Sequence, residues 1–201
     1  MERTDNYAIQ ARKAQNAFLT YDQNALIAKC SLSHDASYLY PVFFSEIYRI
    51  DRVKGYIQRQ QGDSWQNAGF NEIMTILDIL CDSKPHRHPS GNWNGMQNFG
   101  LQFHQNLLEK GKDPFADAIE RDPEAFRRRC VSLGGQPISG ADLGYAIEAM
   151  DGLKIAVQFW FSDEDFPAQV RWYWDENALQ YIRYETMYFA VGHLQRLLLE
   201  D

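Results

Sequence analysis

The sequence predicts an α+β fold, and three observations predict it. Apolar residues alternate with polar ones in two separate parts of the chain, helical periodicity lies between and after them, and no linker, repeat or low-complexity run divides the chain. The expectation is a single domain over residues 1–201, an antiparallel sheet with packed helices, and a C-terminal β-hairpin followed by a closing helix. With 201 residues, 45% of them hydrophobic and 23% charged, the chain is long enough to bury one substantial core and is too apolar for disorder. Aromatics at 14% point to a core built on Tyr, Phe and Trp.

Tyr7, Ala11, Ala14, Phe18, Tyr21 and Ala25 recur at four- and three-residue steps, so residues 6–29 read as one helix, or as two where Asp22 and Asn24 weaken the middle. Residues 38–44, 46–52 and 53–59 are rich in β-branched and aromatic types and read as two or three antiparallel strands. Residues 60–67 read as a polar connection with a turn at Gly62–Asp63. Ile73, Ile76, Leu77 and Leu80 share one face of a helix over 71–81, widened by Met74 and Ile79, which places that helix near the centre.

Residues 82–98, full of Pro, Gly, Ser and Asn, are too many for a mere connector, and a short helix is expected over 99–109. Asp113-Pro114 and Asp122-Pro123 each set an N-cap acid before a first-turn proline, opening helices near 115–119 and 124–131, the second ended by Gly134-Gly135. Ser139 and Asp142 bracket a capping-box-like start for a helix near 141–150. Leu153, Ile155, Val157, Phe159 and Phe161 then alternate with less buried types, as do Val170, Trp172 and Trp174 after a turn, which makes a hairpin. Phe166 is expected to fold back into the core while Pro167 stiffens the turn. Tyr184, Met187, Tyr188, Val191, Leu194 and Leu198 give residues 181–199 the apolar face of a closing helix.

The net charge of -7 removes any general attraction to phosphate backbones or anionic lipid, and only short basic runs occur, at 84–88 and 127–129. Nucleic acid is therefore not an expected partner. No run reaches the roughly 18 apolar residues of a membrane span, and the polar N-terminal residues lack a signal-peptide centre. Cys30, Cys81 and Cys130 are odd in number and widely spaced, which favours reduced thiols in a cytoplasmic protein.

Three features carry chemistry. Asp163, Glu164 and Asp165 sit on the hairpin turn, where carboxylates can bind a divalent cation with help from Asp175, although no calcium-loop spacing is present. Cys81, His86 and His88, with His104 beyond, meet the spacing of a zinc site only in part. Trp93, in the turn 90–95, is a candidate ligand-binding aromatic or a plug for the core. Two functions follow. The leading one is a binding or accessory module for a protein or small molecule, presenting Trp93, Asp163, Glu164, Asp165 and Asp175. The alternative is a metal-dependent enzyme that holds the ion at the acidic turn, with His86 or His193 as base. A structural subunit of an oligomer is a third reading. No cofactor or catalytic residue is assigned.

Helix 72–80, the Ser90-Gly91-Asn92-Trp93 turn, Phe126 with Leu133-Gly134-Gly135, and the 153–161 strand with Trp160 belong together with the Asp163-Glu164-Asp165-Phe166-Pro167 turn and Asp175 leading into Ala178-Leu179. In these the chain resembles the bacterial and archaeal family known as domain of unknown function 3786, over residues 27–198. The resemblance implies a soluble prokaryotic α+β protein. Some members carry iron–sulfur segments, but this chain has no cysteine cluster to hold one.

Overall fold

The computed structural model describes residues 6–99 and 113–200. Asp22 decides how the chain begins. Its carboxylate accepts from the Asn24 and Ala25 N–H groups, so a second helix starts there, and the long apolar stripe divides into α1 (Asn6–Phe18) and α2 (Gln23–Cys30). Six short strands follow: β1 (Ser33–His34), β2 (Tyr38–Tyr40), β3 (Val42–Phe43), β4 (Glu46–Asp51), β5 (Ile57–Gln61) and β6 (Ser64–Asn67). They form an antiparallel sheet in the order β1-β2-β4-β5-β6, with β3 pairing on β4. The polar connection expected over 60–67 is instead the β5–β6 hairpin. Its turn is Gly62–Asp63, and the positive φ of Gly62 suits the tight two-residue loop.

The central helix, α3 (Phe70–Asp82), falls where its periodicity placed it and is buried nearly all round. Helices α4 (Pro114–Arg121) and α5 (Pro123–Ser132) start at the expected caps, with the carboxylates of Asp113 and Asp122 accepting from Phe115 and Ala125. The helix expected over 99–109 lies outside the described residues beyond Phe99.

A second antiparallel sheet has the order β7-β11-β10-β9-β8, built from β7 (Trp93–Gly95), β8 (Gln136–Pro137), β9 (Leu143–Met150), β10 (Leu153–Trp160) and β11 (Gln169–Asp175). The β10–β11 hairpin forms as expected, with Ile155 opposite Trp174. The helix expected over 141–150 is strand β9. Residues 143–147 are all buried, so no alternation marks the strand in the sequence. Asp142 caps nothing helical; its carboxylate accepts from the Phe161 N–H across the sheet at 2.9 Å. Phe166 is also unlike its expectation, at 62% exposed.

The last helix, α6 (Tyr184–Leu199), packs on α3 and α5. One continuous apolar core draws on both sheets and on helices α1 to α6. The sheets are joined where the Phe44 N–H donates to the Ala149 carbonyl at 2.8 Å. Helices α3 and α6 are tied by buried Asp78, which accepts from the Arg183 backbone N–H (2.9 Å) and from its Nε (2.7 Å).

Candidate functional site

A polar cluster lies where β4, β5, α3 and α6 meet. On β4, Glu46 and Tyr48 point the same way as Ile50, into the protein, because side chains two apart share a face. Arg59 pairs directly with Tyr48 across to β5. Glu72 stands at the third position of α3 and reaches back to the Gly69 N–H, completing the helix start. His193 and Arg196 lie three residues apart on α6 and so share one face.

The geometry fixes the proton positions. Arg196 can only donate, and its NH2 group is 3.2 Å from His193 Nδ1, so Nδ1 accepts and the imidazole proton sits on Nε2. That Nε2–H faces the Tyr48 hydroxyl at 3.3 Å, and Tyr48 in turn donates to Glu72 Oε1 at 2.8 Å. The relay therefore runs from Arg196 through His193 and Tyr48 to Glu72. Arg59 NH1 flanks it from Glu46 at 3.3 Å, and Arg59 Nε lies 3.9 Å from Glu72.

Burial sets the electrostatics. His193 is 2% exposed, and its pKa is lowered to about 3 by burial first, then by the Arg196 and Arg59 charges. Burial and the carboxylates of Glu72 and Glu46 push the Tyr48 hydroxyl far up, so it stays a neutral donor. The His193 ring stacks on Phe43, with centroids 5.2 Å apart.

Phe43 and Phe44 belong to a tight turn in which Phe44 and Ser45 both take positive φ, 47° and 63°. Such a conformation in a bulky L residue costs on the order of 1–2 kcal/mol. It is held by the Phe44–Ala149 bond and by the Ser45 hydroxyl, which donates to the Leu133 carbonyl at 2.9 Å. This turn, Glu46, Arg59, Arg129 and Glu200 border a cleft of about 340 Å³. Glu46 and Arg59 are the network members that line it, whereas Tyr48 and His193 are sealed behind them.

The residues singled out from sequence sit elsewhere. Asp163, Glu164 and Asp165 are exposed, and Asp163 accepts from the Asp165 and Phe166 N–H groups of its own turn. Asp175 is at the other end of β11, six residues beyond Gln169, a span of about 20 Å. It therefore does not join the acidic turn. Its buried carboxylate accepts from Ser90, Gly91 and Asn177 N–H groups; burial pushes its pKa up, but these bonds together hold it below the usual range. Trp93 forms part of edge strand β7 and is 37% exposed. The His88 Nδ1 faces the His86 carbonyl at 3.2 Å. Cys81 lies on α3, its thiol pushed up to about 12 chiefly by burial. His193, considered as a base for the acidic turn, faces Tyr48 and Glu72 instead.

Among the described residues, Glu46, Glu72 and His193 are the one group of three or more potential metal ligands whose ligating atoms converge, all within 4.8 Å. Their present pairing opposes a cation. A metal on Nε2 would move the proton to Nδ1, against the Arg196 donor, and two guanidinium groups already balance the two carboxylates.

The fold, the charge-balanced network and its cleft describe an α+β protein with one convergent polar site. The chain belongs to the family described as domain of unknown function (DUF3786), whose model matches residues 22–196. No curated protein and no solved structure matches it. Every residue of the polar network falls inside the matched segment, and α1 precedes it.

Proposed function

We propose that the protein is a binding module for a small zwitterionic ligand, held in the cleft beside Glu46 and Arg59. One observation carries this reading: the buried relay fixes two oppositely charged side chains on the cleft wall while sealing its own titratable groups from any ligand. Tyr48 and His193 cannot touch a substrate, and Glu46 is engaged by Arg59, so positioning is better supported than acid–base catalysis. Arg129, half-buried and lining the same cleft, enters no ion pair among the described residues and suits a ligand carboxylate. Glu46 suits an ammonium.

The three cysteines are unpaired, two of them buried, which supports a reducing compartment such as the cytoplasm. Among the described residues no helix is long and apolar enough to cross a membrane. The test is thermal unfolding with each of the common L-amino acids. At least one should raise the midpoint, and Arg129→Ala or Glu46→Gln should abolish the rise. No shift with any of them, or equal shifts in the variants, overturns the reading.

The convergence of Glu46, Glu72 and His193 favours a second reading, a metal centre. Metal analysis of the purified protein, with and without Arg196→Ala, decides it. Stoichiometric metal in the unaltered protein would establish the centre and displace the hydrogen-bond assignment.

A further inference from the structure

A larger cavity, about 560 Å³, lies between α1, the turn joining β4 to β5, and the start of α3. That volume falls within the range of small-molecule sites. Three tyrosines border it, each packed against a neighbouring side chain. Tyr56 lies under the Arg12 guanidinium (4.9 Å), Tyr38 under that of Arg49 (4.7 Å), and Tyr7 stands edge-on to Phe70 (4.9 Å). Tyr7 and Tyr56 remain more accessible than most aromatics here, at 64% and 50% exposed.

The same cavity gathers positive charge. Arg12 donates through NH1 to the Lys54 carbonyl (3.1 Å) and to Gln15 Oε1 (3.5 Å), and its Nε and NH2 donors have no partner among the described residues. The Lys54 ammonium also forms no ion pair among them. The bordering carboxylate, Asp51, is turned to its own loop, where Oδ1 accepts from the Val53 and Lys54 N–H groups. Against a net charge of -7 for the chain, this is a local reversal of sign.

The cavity wall is built for close approach. Gly55 has φ +71, and a Cβ there would stand 2.7 Å from the Gln15 carbonyl oxygen, so α1 seats on this turn only because residue 55 is glycine. Only the α1 side of the wall lies outside the family segment, which begins at residue 22; Tyr38, Lys54 and Tyr56 fall within it.

We propose that this cavity binds a small planar aromatic ring bearing one phosphate or carboxylate group. The ring lies against the tyrosines, where flat π-faces attract one another. The anionic group is met by the free fork of Arg12 and by Lys54, since a guanidinium offers parallel donors to such a group. A nucleic-acid strand is disfavoured because the rest of the surface repels a polyanion.

The experiment is calorimetric titration of the full chain with adenosine monophosphate and, separately, indole-3-acetate. Adenosine and inorganic phosphate for the first, and indole and acetate for the second, supply the ring and the charge alone. One of the two aromatic anions should bind about tenfold or more tighter than either half, and which one binds assigns phosphate or carboxylate. Tyr56→Leu should weaken binding roughly two- to tenfold. Lys54→Glu, at an exposed side chain whose reversal leaves the scaffold alone, should weaken it by about fivefold. Failure of both aromatic anions to bind, phosphate binding as tightly as adenosine monophosphate, or binding unchanged in Lys54→Glu overturns the proposal. The Glu46 cleft is a separate cavity, so neither result bears on the other.

Discussion

His193 shows how one side chain couples burial to pH. Its imidazole is neutral in the folded protein down to about 3, whereas the unfolded chain titrates near 6.5. Between those values the unfolded state takes up a proton that the folded state refuses. Stability is therefore full above about 6.5 and falls as the pH drops, by up to about 1.4 kcal/mol per unit. His193→Gln removes this dependence while keeping an amide for Arg196 and Tyr48. Its urea midpoint should fall less than that of the unaltered protein between pH 6.5 and 5; parallel curves would show that another group supplies the slope. Tyr48→Phe deletes the hydroxyl between His193 and Glu72 and should cost about 1–3 kcal/mol in denaturant unfolding, because buried partners lose their bond. A loss under about 0.5 kcal/mol would mean the relay adds little.

The 82–92 segment shows what an element gains from two anchors. It belongs to the stretch 82–98 that in sequence reads only as too long for a mere connector, but Arg87, only 5% exposed at its side chain, pairs with Asp151 and donates to the Lys29 carbonyl at 3.0 Å. Asp175 then holds Ser90 and Gly91, and Trp93 follows as the edge strand. Asp151→Ala leaves the Arg87 charge buried without its carboxylate, at a cost on the order of 3 kcal/mol. Amide exchange across residues 84–92 should speed up while that of α6 changes little. Unchanged exchange in this segment would show that the Asp175 bonds suffice.

For the whole molecule, the question is whether two sheets make one folding unit. The core is continuous across both, and the strained Phe44–Ser45 turn, Asp78–Arg183 and Arg87–Asp151 all cross between elements distant in sequence. We therefore expect one cooperative transition. Trp93, Trp160, Trp172 and Trp174 lie on the second sheet and Trp65 alone on the first, so tryptophan fluorescence of a Trp65→Phe variant follows the second sheet, while far-UV circular dichroism follows every element. The two curves should coincide in urea. Separate midpoints would divide the chain into two units.

Local rules made much of this legible. The Asp113 and Asp122 caps, the weak point at Asp22, the period of α3, the β10–β11 hairpin and the closing helix follow from signals within a few residues of one another. The polar site did not show in this way. Tyr48 meets Glu72 across 24 residues and His193 across 145, and no local pattern records such a meeting. Its traces were single polar residues on buried faces: Glu46 and Tyr48 in step with Ile50, and His193 among Ala190, Leu194 and Leu197. Strand β9 reads as a helix for a related reason, since burial on both faces erases the alternation that marks a strand. The sequence by itself determined the fold class and most elements, because capping and periodicity are short-range. Only the tertiary structure decided which charged side chains share an interior, because that depends on how the sheets and helices pack.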